Sequence, residues 1–318
     1  MPDAQDSQLL RTPEGLVVVD KPSGWTSHDV VGKIRRLAGT RKVGHAGTLD
    51  PMATGVLVCG VGRATRLLGH LAGHDKTYEA TIRLGQSTVT DDAEGEPVAT
   101  ASTVGTTEAD VLAAAAEFVG TQEQVPSAVS AVKVDGRRAY ARVRSGESVE
   151  LKPRVVTIAE LSVKGMRRPS ADLLDVDVQV TCSSGTYIRA IARDLGKRLE
   201  VGGHLTALRR TRVGDIDLSM ASTIEQLEAS LDMLPLADAV RRAFPALVAS
   251  DEEAEDVRHG RPIALDDKQR DEQGDEQGDE QSDEPGLVGV FDRSGNVLAL
   301  MEPRDGMLRV VAGFAGGT

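Results

Sequence analysis

Residues 44–55 read Gly44-His45-Ala46-Gly47-Thr48-Leu49-Asp50-Pro51-Met52-Ala53-Thr54-Gly55. Three glycines and one proline in twelve residues force a tightly folded loop. Glycine permits left-handed angles and close backbone approach, and Pro51 biases Asp50 towards extended geometry. A carboxylate held at such a bend is a candidate nucleophile or base. Composition alone leaves open the plainer role of a turn or helix cap. No Gly-Lys-Ser/Thr follows, so the segment is not a phosphate loop.

The pattern becomes regular on both sides of this loop. Upstream, Gly15-Leu-Val-Val-Val-Asp20 predicts a strand ending at Asp20-Lys21-Pro22. Ser27 is placed to cap a helix with Val30, Val31, Ile34 and Leu37 on one stripe, closed by Gly39. Downstream, Gly55 to Val61 reads as a buried strand and Arg63 to Leu71 as a basic helix. Lys76 to Gly85 alternates, with Tyr78, Ala80, Ile82 and Leu84 on one face. Thr107 caps an Ala-rich helix running to about Val119. Leu173 to Cys182 is a second alternating strand, and Thr186 to Leu199 is a helix striped by Ile188, Ile191, Leu195 and Leu199. Strands and helices alternate without regular βαβ spacing, which predicts an α+β domain with a mixed or mostly antiparallel sheet. After about Phe244, the runs Leu287–Phe291, Val297–Met301 and Leu308–Val311 predict a small β meander.

The chain has 318 residues, enough for a sizeable core without disulfides or a structural metal. Its two cysteines, Cys59 and Cys182, lie far apart with no CxxC partner, which argues against a disulfide framework or zinc ribbon. No apolar run approaches the ~20 residues of a membrane helix. The first residues lack the basic and apolar regions of a secretory leader, so a cytoplasmic location is expected. Net charge is −12, but it is unevenly spread. Residues 266–286 hold ten acids against Lys268 and Arg270, a net of −8. This D-E-Q-G/S repeat has no apolar residue, is expected to be disordered, and its excision should be nearly silent. By contrast, residues 15–80 carry +4 and residues 189–212 carry +5. Two basic segments suit a polyanionic partner, which gains affinity through counterion release; ordinary solvated faces remain the alternative.

Among other candidates, Tyr78 opens a strand, while Tyr187 and Arg189 fall where a strand gives way to a helix beside Gly185. Each tyrosine could equally pack with a wet hydroxyl. His70 and His74 are spaced i, i+4 without the Glu of a zinc helix. Gly60-Val-Gly62 lacks the rest of a dinucleotide fingerprint, and no Gly-x-Ser-x-Gly elbow occurs.

Taken together, Val19-Asp20-Lys21-Pro22-Ser23-Gly24-Trp25-Thr26-Ser27, Gly44 to Gly55, Asp75-Lys76-Thr77-Tyr78 and Arg83-Leu84-Gly85 resemble the TruB-family tRNA pseudouridine-55 synthases. So do Val125-Pro126-Ser127-Ala128-Val129-Ser130-Ala131-Val132-Lys133, Ser184-Gly185-Thr186-Tyr187-Ile188-Arg189 and Leu208-Arg209-Arg210-Thr211, in the family's order over residues 15–215. The resemblance implies a pseudouridine synthase fold over residues 15–243, a mixed or antiparallel sheet flanked by helices. Before it comes a flexible tail, 1–14, and after it a small β-rich PUA-like domain, 244–318, with the acidic insertion 266–286. It implies isomerisation of uridine in the tRNA T-arm, with no cofactor, metal, membrane or guide RNA, by a monomer. Asp50 corresponds to the nucleophile and Arg189 to the cation that keeps it ionised and aimed. Tyr78 corresponds to the aromatic that stacks on the flipped base and is implicated in proton transfer. Tyr187 and Leu208 correspond to substrate contacts, His45 to support of the rearranged loop, and Lys21 to a structural or electrostatic lysine. Residues 122–150 correspond to an insertion that closes over RNA, with Lys133, Arg137, Arg138, Arg142 and Arg144 in reach of phosphates. The sequence departs from the family at Ala128 or Val129, where an aromatic is common, and in its acidic insertion. A guide-dependent relative of the dyskerin type and a non-catalytic tRNA-binding module are the competing readings.

Overall fold

The computed structural model describes residues 13–127, 133–134, 137–138, 152–264 and 286–315. The acidic stretch 266–285, Arg142, Arg144, Ala128 and Val129, the side chains of Lys133, Arg137 and Arg138, and residues 1–12 lie outside the described residues.

The chain opens with β1 (Gly15–Lys21), α1 (Ser27–Leu37), β2 (Val43–His45) and β3 (Thr54–Val61). A 3-10 turn over Gly62–Leu67 leads into α2 (Leu68–Gly73), so the single helix expected over 63–71 is split. Next come β4 (Lys76–Leu84), the hairpin β5 (Gln86–Thr88) and β6 (Pro97–Thr100), α3 (Glu108–Ala116) and β7 (Gly120–Gln124). A two-residue pair, β8 (Lys133–Val134) and β9 (Arg137–Arg138), precedes the long β10 (Arg154–Ser170) and β11 (Leu173–Cys182). Then follow α4 (Ile188–Arg198), β12 (Gly203–Val213), β13 (Ile216–Asp217), α5 (Ile224–Ala229), β14 (Leu234–Pro235) and α6 (Leu236–Ala243). Last are β15 (Ala246–Val248), α7 (Asp251–Arg258), β16 (Ile263–Ala264), β17 (Val288–Phe291), β18 (Val297–Arg304) and β19 (Met307–Gly313).

Among the described residues the central sheet runs β14-β1-β3-β12-β4-β11-β10-β7, with β2 beside β3 and β13 beside β12. It is mixed, as expected: β12 lies parallel to β3 and antiparallel to β4. One apolar cluster joins Val17, Val19, Leu57, Ile82 and Val178 of the sheet to Val30, Ile34, Ile188 and Ile191 of α1 and α4. Because side chains alternate along a strand, Leu16, Val18, Val56 and Val58 point the other way. They meet α6, Phe291 and Leu300 of the second sheet, and Phe314 just after its last strand. That second sheet is five-stranded, in the order β15-β17-β18-β19-β16, and supplies the β-rich C-terminal part.

Two helix starts differ from expectation. Thr26, not Ser27, caps α1, in a capping box with Asp29. Tyr187 is the N-cap residue of α4 and lies before its first turn.

Candidate active site

The loop carrying Asp50 is clamped on both sides of that residue. Released from capping, the buried Ser27 hydroxyl accepts from the Leu49 amide at 2.9 Å and donates to the Leu49 carbonyl at 3.1 Å. On the other side the Pro51 carbonyl accepts from Lys21 Nζ at 3.1 Å and from the Gly24 amide at 2.8 Å. Lys21 also donates to the Pro22 carbonyl at 2.9 Å. Its side chain is wholly buried, and burial pushes its pKa down to about 8. The loop re-enters the sheet at Gly55, where φ is +96° and a Cβ would lie 2.2 Å from the Arg210 carbonyl oxygen. Only glycine fits there.

Arg189 reaches this carboxylate from the first turn of α4. Its Nε lies 2.9 Å from Asp50 Oδ2, and its Nη2 donates to Asp50 Oδ1 at 3.1 Å, a fork-on-fork pair. The start of α4 is itself fixed by Gln124 at the end of β7. Its side-chain amide accepts from the Tyr187 N–H at 2.8 Å and donates to the Tyr187 carbonyl at 3.2 Å. Arg189 Nη1 donates to the Thr90 carbonyl at 3.1 Å and lies 3.4 Å from Asp92 Oδ2. Asp92 is buried in the loop after β5, where its other oxygen accepts from the Glu94 amide at 3.1 Å and from the Thr90 hydroxyl. The guanidinium is thus held between two carboxylates.

Burial pushes the Asp50 carboxyl above the ordinary aspartate range; Arg189 pulls it back only in part, and Asp92 adds to the rise. The pairing with Arg189 that the resemblance implies is present, and it offsets part of the rise that burial causes. The pair aims the carboxylate, but desolvation outweighs it.

A cavity of about 280 Å³ opens at this pair, lined by Asp50, Arg189, Tyr78, Tyr187 and Leu208 among others. These five expected residues come together although they span positions 50 to 208. Tyr78 on β4 sits across from Val180 on β11 and Arg210 on β12. Burial raises its phenol pKa, while the neighbouring Arg210 guanidinium pulls it down. Lys21 and His45 do not line the cavity. His45 stacks edge-on against His28 with centroids 5.9 Å apart, and burial lowers its pKa. Among the described residues its buried Nδ1 has no hydrogen-bond partner.

Sequence reading missed Ser27 as a clamp, Gln124, Thr90, Asp92, Lys76 and Arg210. Asp92 lies in Thr90-Asp91-Asp92-Ala93-Glu94-Gly95, whose clustered acids and glycine were a usable turn signal. Nothing local marks Gln124 or Ser27.

This arrangement can be set beside known proteins. Residues 35–188 match the TruB family pseudouridylate synthase N-terminal domain, and residues 189–241 match the tRNA pseudouridylate synthase B C-terminal domain. A tRNA pseudouridine synthase B from Thermobifida fusca is 56% identical over 306 residues, spanning 95% of this chain and 99% of that protein. Its counterpart from Streptomyces griseus is 52% identical over 313 residues, spanning 97% and 100%. The crystal structure of a Cbf5-Nop10-Gar1 complex superposes with a TM-score of 0.63 at 25% identity, covering 91% of this chain and 78% of that one. A structure of an H/ACA RNP bound to a substrate RNA containing 2′-deoxyuridine gives 0.66 at 22% identity, over 95% and 85%, and so shares the fold. With both family domains matched and identity above one half sustained along nearly its whole length, the chain belongs to the TruB family of pseudouridine synthases.

Proposed function

We propose that the protein isomerises uridine to pseudouridine in the T-arm loop of tRNA, the pseudouridine-55 reaction, with Asp50 as nucleophile. The observation that carries this reading is the forked Asp50–Arg189 pair at the mouth of a cavity that also holds Tyr78. The target uridine must leave its stack, at a cost of a few kcal/mol. Tyr78 receives the flipped base on its ring face and takes part in proton transfer, while Tyr187 and Leu208 flank it. Asp50 then bonds covalently to the nucleotide, at C1′ or at C6, and either route needs the ionised carboxylate. Arg189 orients it, and Asp92 and Thr90 orient Arg189. Lys21 acts at one remove, through the Pro51 carbonyl. His45, paired with His28, supports the rearranged loop of the RNA. The described residues of 244–318 belong to a PUA-like unit following the catalytic part, 15–243.

The protein works as a monomer in the cytoplasm, without a guide RNA. Identity above one half to proteins named for tRNA, against 25% to a chain of a Cbf5-Nop10-Gar1 complex, favours the guide-free reading. Purified protein incubated with an unmodified T-arm minihelix alone should yield pseudouridine, mapped by chemical labelling. Asp50→Asn should abolish product while RNA affinity stays close to wild type, since an amide cannot act as the nucleophile. Product well above background from that variant would remove Asp50 from its role.

A further inference from the structure

Two buried cations at the cavity have no part in the chemistry so far. Arg210 is 1% exposed and Lys76 6% exposed, and both line the cavity. The register of β12 against β4 places Arg210 opposite Tyr78, two residues along β4 from Lys76. The two side chains converge on Gly47: a methyl group there would lie 3.5 Å from Arg210 Nη1 and 3.7 Å from Lys76 Cε.

Among the described residues neither cation is paired with a carboxylate. Lys76 Nζ donates to the main-chain carbonyls of Ala72 at 2.9 Å and His74 at 2.5 Å, two of its three N–H groups. Arg210 Nε donates to the Val56 carbonyl at 2.7 Å and Nη2 to the Gly47 carbonyl at 3.2 Å. A buried charge is costly unless paired, and two like charges side by side cost more. The Asp50 end is different, because there Arg189 is shared by two carboxylates. One end of the cavity is therefore compensated, and the other holds positive charge with donors to spare.

We infer that Lys76 and Arg210 form an anion-stabilising end of the cavity, and that the anion they serve is the uracil ring as it detaches from its ribose. The inference rests on the isomerase reading above. When the N1–C1′ bond breaks, its electron pair leaves with the ring, which then carries one negative charge over N1, O2 and O4. The ring returns the pair to C1′ through C5, the bond to Asp50 breaks with its pair returning to the carboxylate, C5 loses its proton and N1 gains one. Nothing is added or removed overall, and the charge exists only between the two bond events. Fixed donors aimed at such a charge lower the barrier without tightening the ground-state complex. A backbone phosphodiester fits less well. It is charged before the reaction begins, whereas Arg210 is almost wholly enclosed.

The test uses the full chain with Lys76→Met and Arg210→Lys and a T-arm minihelix. Single-turnover formation of pseudouridine by Lys76→Met should fall by roughly 10²- to 10³-fold, the usual effect of losing one such donor. The Kd for the RNA and its salt dependence should stay within about twofold of wild type. A raised Kd with a salt slope smaller by about one would assign Lys76 to a phosphate and overturn the inference. A merely structural role is separated with a minihelix carrying 5-fluorouridine, whose ring is the better leaving group. On that substrate, followed by loss of the original N-glycoside, the Lys76→Met defect should shrink several-fold. An equal defect on both substrates overturns the proposal. Arg210→Lys, which keeps the charge, should retain more single-turnover activity than Arg210→Met. If Arg210→Met does not fold by circular dichroism, the Lys76→Met comparison decides alone. Failure of the isomerase reading itself would show differently, as wild-type protein that makes no pseudouridine at all.

Discussion

Asp50 is ionised at a cost to the fold, and that cost has a sign. Burial outweighs Arg189, so the carboxyl's folded pKa lies above its unfolded value of 3.8. As pH rises, the unfolded chain releases this proton first, and folded stability falls through the interval between the two values. Asp50→Asn removes that loss. The variant should therefore be at least as stable as wild type at pH 7, with the gap closing on acidification, as read from urea midpoints. A lower midpoint for the variant at pH 7 would mean that the Arg189 pairing wins instead. The single-turnover rate should also rise with pH through a midpoint above the ordinary aspartate value. Asp92 belongs to the same scale: Asp92→Asn removes one of the two carboxylates that hold the Arg189 guanidinium in place. Misaiming of that kind costs about 10²-fold in rate, so kcat should drop by that order with RNA affinity unchanged. A parallel loss of affinity would show that Asp92 shapes the binding surface.

At the scale of single elements, α4 and α1 deliver Arg189 and the Ser27 clamp, and their glycines behave oppositely. Gly196 lies inside α4, where alanine ordinarily gains about 0.5–1 kcal/mol. Here a Cβ would stand 2.2 Å from the backbone of Gly202 and Gly203, because the chain turns back tightly into β12. Gly196→Ala should destabilise the protein despite its propensity, while Gly32→Ala in α1, with open space around it, should stabilise it by about 0.5–1 kcal/mol. Denaturant midpoints of the two variants check the contrast. Periodicity located these helices well, since an apolar stripe at 3.6 spacing reports which face is buried. It did not separate Thr26 from Ser27 as cap, because both side chains can cap; Ser27 is drawn away by Leu49, 22 residues on.

Across the whole molecule, the two sheets share one apolar cluster. Ending the chain at residue 243 would strip Phe291, Leu300 and Phe314 from Leu16, Val18, Val56 and Val58. The loss should exceed the ~3–5 kcal/mol of one buried Phe, seen as a lowered denaturant midpoint or aggregation; an unchanged midpoint would show that the sheets are independent. Excising 266–286 also looks different once the sheet is known. Ala264 on β16 and Val288 on β17 are separated by β19 and β18, with a three-residue offset, or roughly 17 Å at usual strand spacings. A direct join leaves two residues, at about 3.5 Å each too few to span it. The excision should be silent for turnover only when an eight-residue Gly/Ser linker replaces the segment, and strained without one.

The sequence by itself determined the strands near 15–20, 55–61, 76–85 and 173–182, the helices starting near 27, 107 and 186, and the glycine-rich bend around Asp50, because periodicity and turn chemistry are local; the family resemblance singled out Tyr78, Tyr187, Arg189 and Leu208, and the structure gathers all four at one cavity. Only the tertiary structure decided that Asp92 shares Arg189, that Lys76 and Arg210 converge on Gly47, and that burial governs the Asp50 carboxyl. Those facts depend on strand register and desolvation between segments far apart in the chain, which no local pattern encodes.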